Sequence, residues 1–439
     1  MRSSRSAIAI ALASALVLAA CGGAGETPAN SGGAQNGEPA PGVTDTEVVI
    51  GTHQPLTGPA APGYSKISVG SRAVYDYIND GGGINGRKIT YKVEDDAYNP
   101  TKTVEVVKKL VLEEKIFAMV GGLGTSTHSK VLDYLTTEGV PDLLVSSGAL
   151  MWDSPQKHPN TFGYQVDYTR EGKVQGQYIK DNFAGKKVGL LMQNDDIGTD
   201  SQKGLDQFIK DQVVDRKTYD PANTDVTPQI SALQASGAEV LVCECIPAFA
   251  ALTILTSLKI GYKPQLVVSS IGADPATLTG LVEQFARQGG TQVSGGALLT
   301  GIIGTRYLPS VRGADDPWTS FFKEIHAKYI PQEAFTDTLV YGMVMAYTFA
   351  QALKAAGRDL TRQKIMDAMS SGELKGPGLT PFGFGKDSHA GYTGALVFQL
   401  AADGSVKTLQ EAKVTDRESG EVKSYSEKRL TPQDVKLVG

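Results

Sequence analysis

The sequence predicts an α/β protein of two lobes, each a parallel sheet with helices on both faces. Three observations carry this. The chain has 439 residues, enough for two domains of ordinary size. From Thr46 onward short β-type runs alternate with runs of helical period. Near 164–167 the series ends and the same alternation begins again. Parallel strands cannot be joined by tight turns, so the intervening helices act as crossovers and cover the sheet.

In the first series, 48–52 reads as a strand and is followed by the turn Pro55-Leu56-Thr57-Gly58-Pro59. The next helix sets Val69, Ala73, Tyr77 and Ile78 on one side and stops at Gly81-Gly82-Gly83. Residues 88–94 alternate as a strand. Asn99 or Thr101 caps a helix bearing Val104, Val107, Leu110 and Val111. The third and fourth strands are expected at 116–120 and 142–145. In the second series, helices are expected at 170–182 and 200–211, and strands at 187–192 and 213–219. Thr227 and Pro228 open a further helix, proline being suited to the first turn. An apolar strand at 240–245, a helix at 248–260 and a strand at 265–269 complete the repeat. After Leu299 the pattern loosens. Trp318, Phe321, Phe322 and Ile325 share one helical face, 338–355 is a long apolar helix and 362–369 a shorter one. Residues 392–400 and 406–409 flank Asp403-Gly404 as a hairpin. The tail from Thr415 is charged and is expected to be peripheral.

The N-terminus reads as a targeting segment. Arg2 and Arg5 precede a small-apolar run at 7–20, too short to span a bilayer as a helix. The run closes on Leu18-Ala19-Ala20-Cys21-Gly22, which resembles the bacterial lipobox and implies cleavage before Cys21 and diacylglycerol on its sulfur. Residues 22–42, rich in Gly, Ala, Pro, Asn and Gln, read as a flexible tether. The net charge of −5 becomes −7 once the leader's two arginines are removed. No basic patch interleaved with aromatics points to nucleic acid. Three cysteines exclude a disulfide scaffold. Cys243 and Cys245, on one face of an expected strand, have poor geometry for a bond and are expected as small buried hydrophobes, with a place at a pocket edge left open.

The chemistry centres on Gly121-Gly122-Leu123-Gly124-Thr125-Ser126-Thr127, where the third strand turns into a helix expected to carry Val131, Leu132 and Leu135. The glycines let backbone N–H groups approach a ligand, the hydroxyls add donors, and a helix N-terminus favours an anion such as a carboxylate. Serine and threonine are also ordinary caps in such a turn. The turn lacks the third glycine and the first-strand position of a dinucleotide fingerprint. No Gly-x-Ser-x-Gly or phosphate-loop lysine is present, and the five histidines show no paired metal spacing. No catalytic residue, metal or cofactor is expected. Trp152 and Tyr64 fit either the cleft or a lobe surface.

Together, Gly51-Thr52-His53-Gln54-Pro55-Leu56-Thr57-Gly58-Pro59, the run Asn79 to Gly86, Asp95-Asp96, the glycine turn, Asn194-Asp195-Asp196-Ile197-Gly198 and Gly261-Tyr262 resemble the type I periplasmic binding proteins. More narrowly, the chain is similar to the branched-chain amino acid (Leu/Ile/Val) binding family of ABC importers, in lipoprotein form. The resemblance spans roughly 48–400. It implies two Rossmann-like lobes joined by a three-crossing hinge, with the ligand in the cleft between them. Lobe 1 is then 45–165 plus 302–378, lobe 2 is 166–299 plus 379–410, and 411–439 is a peripheral tail after a signal peptide at 1–20 and a tether at 21–44.

The resemblance also assigns residues. The carboxylate-holding hydroxyl falls on Thr125, two further lobe 1 contacts on Ser147 and Ala149, and the first loop's contact on Gly63 and Tyr64. Two lobe 2 positions often held by ring-bearing residues fall on Ile197 and Ile246. The acid that grips an amino group falls at or next to Ser270. A buried ammonium needs a carboxylate partner, and Ile197, Ile246 and Ser270 offer none, although Asp195, Asp196, Glu244 and Asp274 stand nearby in sequence. The expectation is therefore a small carboxylate with an apolar body, the branched-chain amino acid being the family default. Implied partners are an ABC permease with its ATPases and the membrane through the lipid anchor. A ligand-sensing domain of the same fold is the alternative.

Overall fold

The computed structural model describes residues 40–438. The expected signal segment, Cys21 and most of the tether lie outside the described residues. The first sheet contains β1 (Glu47–Gln54), β2 (Lys88–Asp95), β3 (Ala118–Val120), β4 (Asp142–Val145) and β5 (Thr161–Gly163), in the order β2-β1-β3-β4-β5 and all parallel. The second contains β6 (Val188–Gln193), β7 (Val213–Tyr219), β8 (Val240–Glu244), β9 (Gln265–Val268), β10 (Ile303–Arg306), β11 (Gly394–Leu400), β12 (Val406–Val414) and β13 (Lys423–Ser424). Its order is β13-β12-β11-β10-β9-β8-β6-β7, parallel from β7 to β10 and antiparallel from there to β13. Every residue of β3, β4, β6 and β8 is buried, as continuous apolar runs in a helix-covered parallel sheet require. The apolar helix Asp337–Ala356 lies in the core of the first lobe.

Three segments cross between the lobes, near 165, 308 and 380–392, and are bonded to one another. Tyr392 N–H donates to Tyr164 O at 3.2 Å, and Leu379 N–H to Tyr307 O at 2.7 Å. The sequence reading assigns 302 onward to lobe 1. The structure puts β10 in the second sheet, so the chain leaves that lobe only after Arg306. A four-residue strand containing a glycine is too short for periodicity to assign it to a sheet.

The tail also differs from expectation. Residues 411–414 complete β12, and Val422, Leu437 and Val438 are buried. Asp416 pairs with Lys173 of the second lobe at 2.9 Å, while Arg417 pairs with Asp153 of the first at 2.9 Å. Trp318 Nε1 then donates to Leu430 O at 2.8 Å and Tyr347 Oη to Val435 O at 3.0 Å. Charge count misses this segment because backbone carbonyls make much of its docking.

Cys243 and Cys245 are joined by a disulfide, contrary to the expectation of two free thiols. The strand ends at Glu244, so Cys245 leaves the extended path. The two Cα atoms lie 5.2 Å apart, within bonding range, where two extended steps would separate them by about 6.6 Å.

Candidate ligand cleft

The first-lobe wall of the cleft is the turn after β3. Gly124 has φ +104°, a conformation open to glycine. Gly122 lies so close to His128 that a Cβ would stand 2.4 Å from the ring. Beneath the turn runs a fully buried chain of four side chains. Asp96 Oδ2 meets His53 Nδ1 at 2.7 Å, His53 Nε2 meets His128 Nδ1 at 2.7 Å, and His128 Nε2 meets the Asp142 carboxylate at 2.9 and 3.0 Å. Hydrogen bonds at these three junctions need three protons. The chain therefore holds one proton more than two carboxylates and two neutral imidazoles would supply. Burial lowers the His53 pKa, against the opposing bond to Asp96. Burial raises Asp96, but the bonds from His53, Tyr98 N–H and Thr103 together bring it below the ordinary carboxylate value.

The helix expected after the turn is broken. Thr125–His128 makes one turn, and Leu132–Thr137 a second short helix. Hydroxyl side chains at 125–127 and 129 compete for backbone groups; Thr127 Oγ1, for example, donates to Leu123 O at 2.6 Å. A single turn carries little macrodipole, so the affinity for an anion rests on local donors instead. Among the described residues, the N–H groups of Thr125, Ser126 and Thr127 have no backbone acceptor. Thr125 Oγ1 lies 2.7 Å from Ser147 Oγ and 3.1 Å from Tyr168 Oη. Tyr168 opens the helix Tyr168–Asn182 of the other lobe, so this hydroxyl cluster joins the two walls.

The lobes are closed on each other. Tyr64 Oη donates to Ile271 O at 3.1 Å, and Leu150 N–H to Asp200 Oδ2 at 2.9 Å. The empty space between the lobes, mouth and open solvent included, is about 950 Å³. Tyr64, Thr125, Ile197, Ile246 and Ser270 all line it. Ser147 stands behind Thr125. Ala149 is buried outside the lining, its N–H 3.3 Å from Ser147 Oγ. Trp152 packs edge-on against His128 at 5.3 Å, inside the lobe and away from the cleft.

The structure adds Tyr98, Tyr168, Tyr341, Gln165, Arg306 and Asp337 to the lining. Only for Tyr98 was there a sequence signal, its place just after the Asp95-Asp96 marker. The others come from crossings and helix starts that converge only in three dimensions. Of the acids named from sequence, Asp274 lines the cleft, whereas Asp195, Asp196 and Glu244 do not. Asp274 caps the helix Pro275–Gln288 by accepting Thr277 N–H at 2.6 Å, and its Oδ2 has no partner among the described residues. Asp337 accepts Ser310 Oγ and Val311 N–H, each at 2.7 Å, and is pushed up to about 6 by burial and by Asp274. Arg306 stacks 5.3 Å over Phe398, with Nε and Nη1 unpaired among the described residues. The described residues contain no cluster of metal-ligating side chains.

Two lobes closed over a largely apolar cleft, with polar groups at its ends, are the arrangement of a binding protein that encloses a solute between domains. The chain belongs to the periplasmic binding protein family, whose model matches residues 47–405. It is 26% identical over 344 residues to Leu/Ile/Val-binding protein homolog 1 of Brucella abortus, covering 77% of this chain and 85% of that one. To the Leu/Ile/Val-binding protein BraC3 of Rhizobium johnstonii it is 27% identical over 380 residues, covering 81% and 91%. Two solved structures share the fold with a TM-score of 0.73. One is a branched-chain amino acid ABC transporter protein from Thermus thermophilus with bound valine, 17% identical, covering 85% of this chain and 97% of that one. The other is a fatty acid ABC transporter substrate-binding protein from Thermomonospora curvata, 20% identical, covering 87% and 95%. The chain is thus an extracytoplasmic-type binding protein and not an enzyme. Among the described residues no helix is long and apolar enough to cross a membrane.

Proposed function

We propose that the protein is the lipid-anchored solute-binding component of an ABC importer. It captures a small carboxylate with an apolar body and delivers it to a membrane permease driven by cytoplasmic ATPases. The observation that carries this is the pairing of Thr125, Ser147 and Tyr168 across the cleft beside unpaired N–H groups, facing a body lined by Ile197, Ile246 and Ile271. Hydroxyls and free N–H groups suit a carboxylate, and closure over it removes competing water. Asp274 and Asp337 in the lining support a second reading, an amino acid whose ammonium meets these acids.

The test is a thermal-shift screen of leucine, isoleucine and valine beside their deaminated analogues and simple aromatic acids. A ligand at 100 times its Kd stabilises by about 2.7 kcal/mol. Stabilisation by one of these carboxylates supports the proposal, and a flat response to all of them at millimolar concentration overturns it. Anchoring is tested separately: Cys21→Ala should release the protein from the membrane fraction, and a variant that stays bound refutes the anchor.

A further inference from the structure

Behind Ser270 lies a carboxylate that the cleft does not expose. Glu171, on the first turn of the helix Tyr168–Asn182, is 1% exposed. Its Oε1 accepts Ser270 N–H at 2.6 Å and the Thr305 hydroxyl, and its Oε2 accepts the Ser270 hydroxyl at 3.0 Å. Thr305 Oγ1 receives an N–H from Gln175 at 3.2 Å, which leaves its own proton for Glu171. Glu244 is the second carboxylate of this buried pair. Among the described residues it accepts only Ser201 Oγ, at 3.1 Å, and its Oε1 has no partner. Two adjacent buried carboxylates do not both ionise. Burial raises both, but Glu171 has three donors working against that rise, so of the two it carries the charge, and Glu244 keeps the proton, pushed up to about 8 by burial and by the Glu171 charge. An ionised carboxylate only accepts. The single hydroxyl proton of Ser270 is therefore committed to Glu171. Among the described residues no other group bonds Ser270 Oγ, so lone pairs are what it has left to offer the cleft.

We propose that Glu171 is a positioning residue that makes Ser270 a hydrogen-bond acceptor. Among carboxylates of one shape, the cleft then selects those whose neighbouring substituent is a donor, ammonium or hydroxyl, over those with a carbonyl there. This rests on the carboxylate reading of the cleft. A carboxylate held at Thr125 on one lobe offers that substituent to the opposite lobe, where Ser270 stands. A site built around one hydrogen-bond polarity rejects the wrong partner because a buried group is then left unpaired.

Glu171→Gln reverses the polarity. Ser270 N–H requires the amide oxygen, so the NH2 group faces Ser270 Oγ, which now accepts and turns its proton to the cleft. The test is calorimetric titration at pH 7 with L-leucine, 2-hydroxy-4-methylpentanoate and 4-methyl-2-oxopentanoate, which share a carboxylate and an aliphatic body. In the parent, at least one of the two donor-bearing probes should bind tenfold or more tighter than the keto acid. Glu171→Gln should shrink or reverse that ratio, and Ser270→Ala, a milder change, should abolish it. A purely structural role would lower affinity for all three probes alike, leave the ratio intact and overturn the proposal. So would a parent that binds the probes without discrimination. A parent that binds none of them refutes the carboxylate reading itself, a separate failure.

Discussion

Replacing His128 by leucine tests whether the buried four-residue chain is the foundation of the ligand-facing turn. The substitution keeps bulk beside Trp152 but removes two hydrogen bonds at once. His53 Nε2 loses its one partner among the described residues, a 2.7 Å bond, and becomes an unpaired buried polar atom, which costs about 1–3 kcal/mol. Asp142 loses its contacts at 2.9 and 3.0 Å and keeps the Thr161 hydroxyl at 3.2 Å. Leaving a buried charge without its partner costs about 3–5 kcal/mol. These costs overlap, because protons in the chain can rearrange, so the expected loss is about 3–5 kcal/mol in total. Urea denaturation followed by circular dichroism measures it as a lowered midpoint at similar slope. His53→Leu should cost a comparable amount, and the double variant much less than the sum, since both remove the same central bond. A loss below about 1 kcal/mol for His128→Leu, or strict additivity, refutes the chain as a cooperative unit.

Three further outcomes follow from the same geometry. Thr125→Ala removes a hydroxyl bonded to Ser147 and Tyr168 and should weaken binding of a carboxylate ligand by about 1–3 kcal/mol, read by titration; unchanged affinity would place the anion elsewhere. Glu244, raised from the ordinary 4.5 to about 8, holds in the folded state a proton that the unfolded chain releases above 4.5, so it costs stability progressively as pH rises from 4.5 to 8. Glu244→Gln should therefore gain roughly 1–3 kcal/mol on the parent by pH 9 and nothing at pH 4, and parallel stability curves would contradict the assignment. Removing residues 429–439 takes away the bonds of Arg429, Leu430 and Val435 to the first lobe and buried Leu437 and Val438, and should lower the melting temperature by several degrees; an unshifted melt would return the tail to the periphery.

Most of the frame was legible because it rests on local pattern. The strands expected at 142–145 and 213–219 match β4 and β7, and Asn99 does cap its helix by accepting Thr101 and Lys102 N–H groups. What failed depends on partners far apart in sequence. The sheet to which β10 belongs is decided by β9 and β11, and β11 begins 88 residues after β10 ends. The docking of the tail is decided by aromatic residues some 90 to 110 positions upstream. His53 and His128 show no spacing in sequence, since β1 and the turn after β3 bring them together across 75 residues.

The site shows the same division. Thr125 sits in a glycine turn whose chemistry is written in consecutive residues. The opposite wall is not local: in sequence Ser270 offers only its own neutral side chain. On the proposal above its polarity is set by Glu171, 99 residues earlier, which reaches it because the helix from Tyr168 comes within bonding distance of the loop after β9. A missing acid at a wall position therefore does not mean that the wall lacks negative charge. Here a carboxylate lies one side chain deeper, where burial raises it and three donors work against that rise. A ligand approaching Ser270 is offered an acceptor without having to compete for a solvated carboxylate. On the proposal above, a neutral hydroxyl and an ammonium both find an acceptor there, while a carbonyl meets only lone pairs.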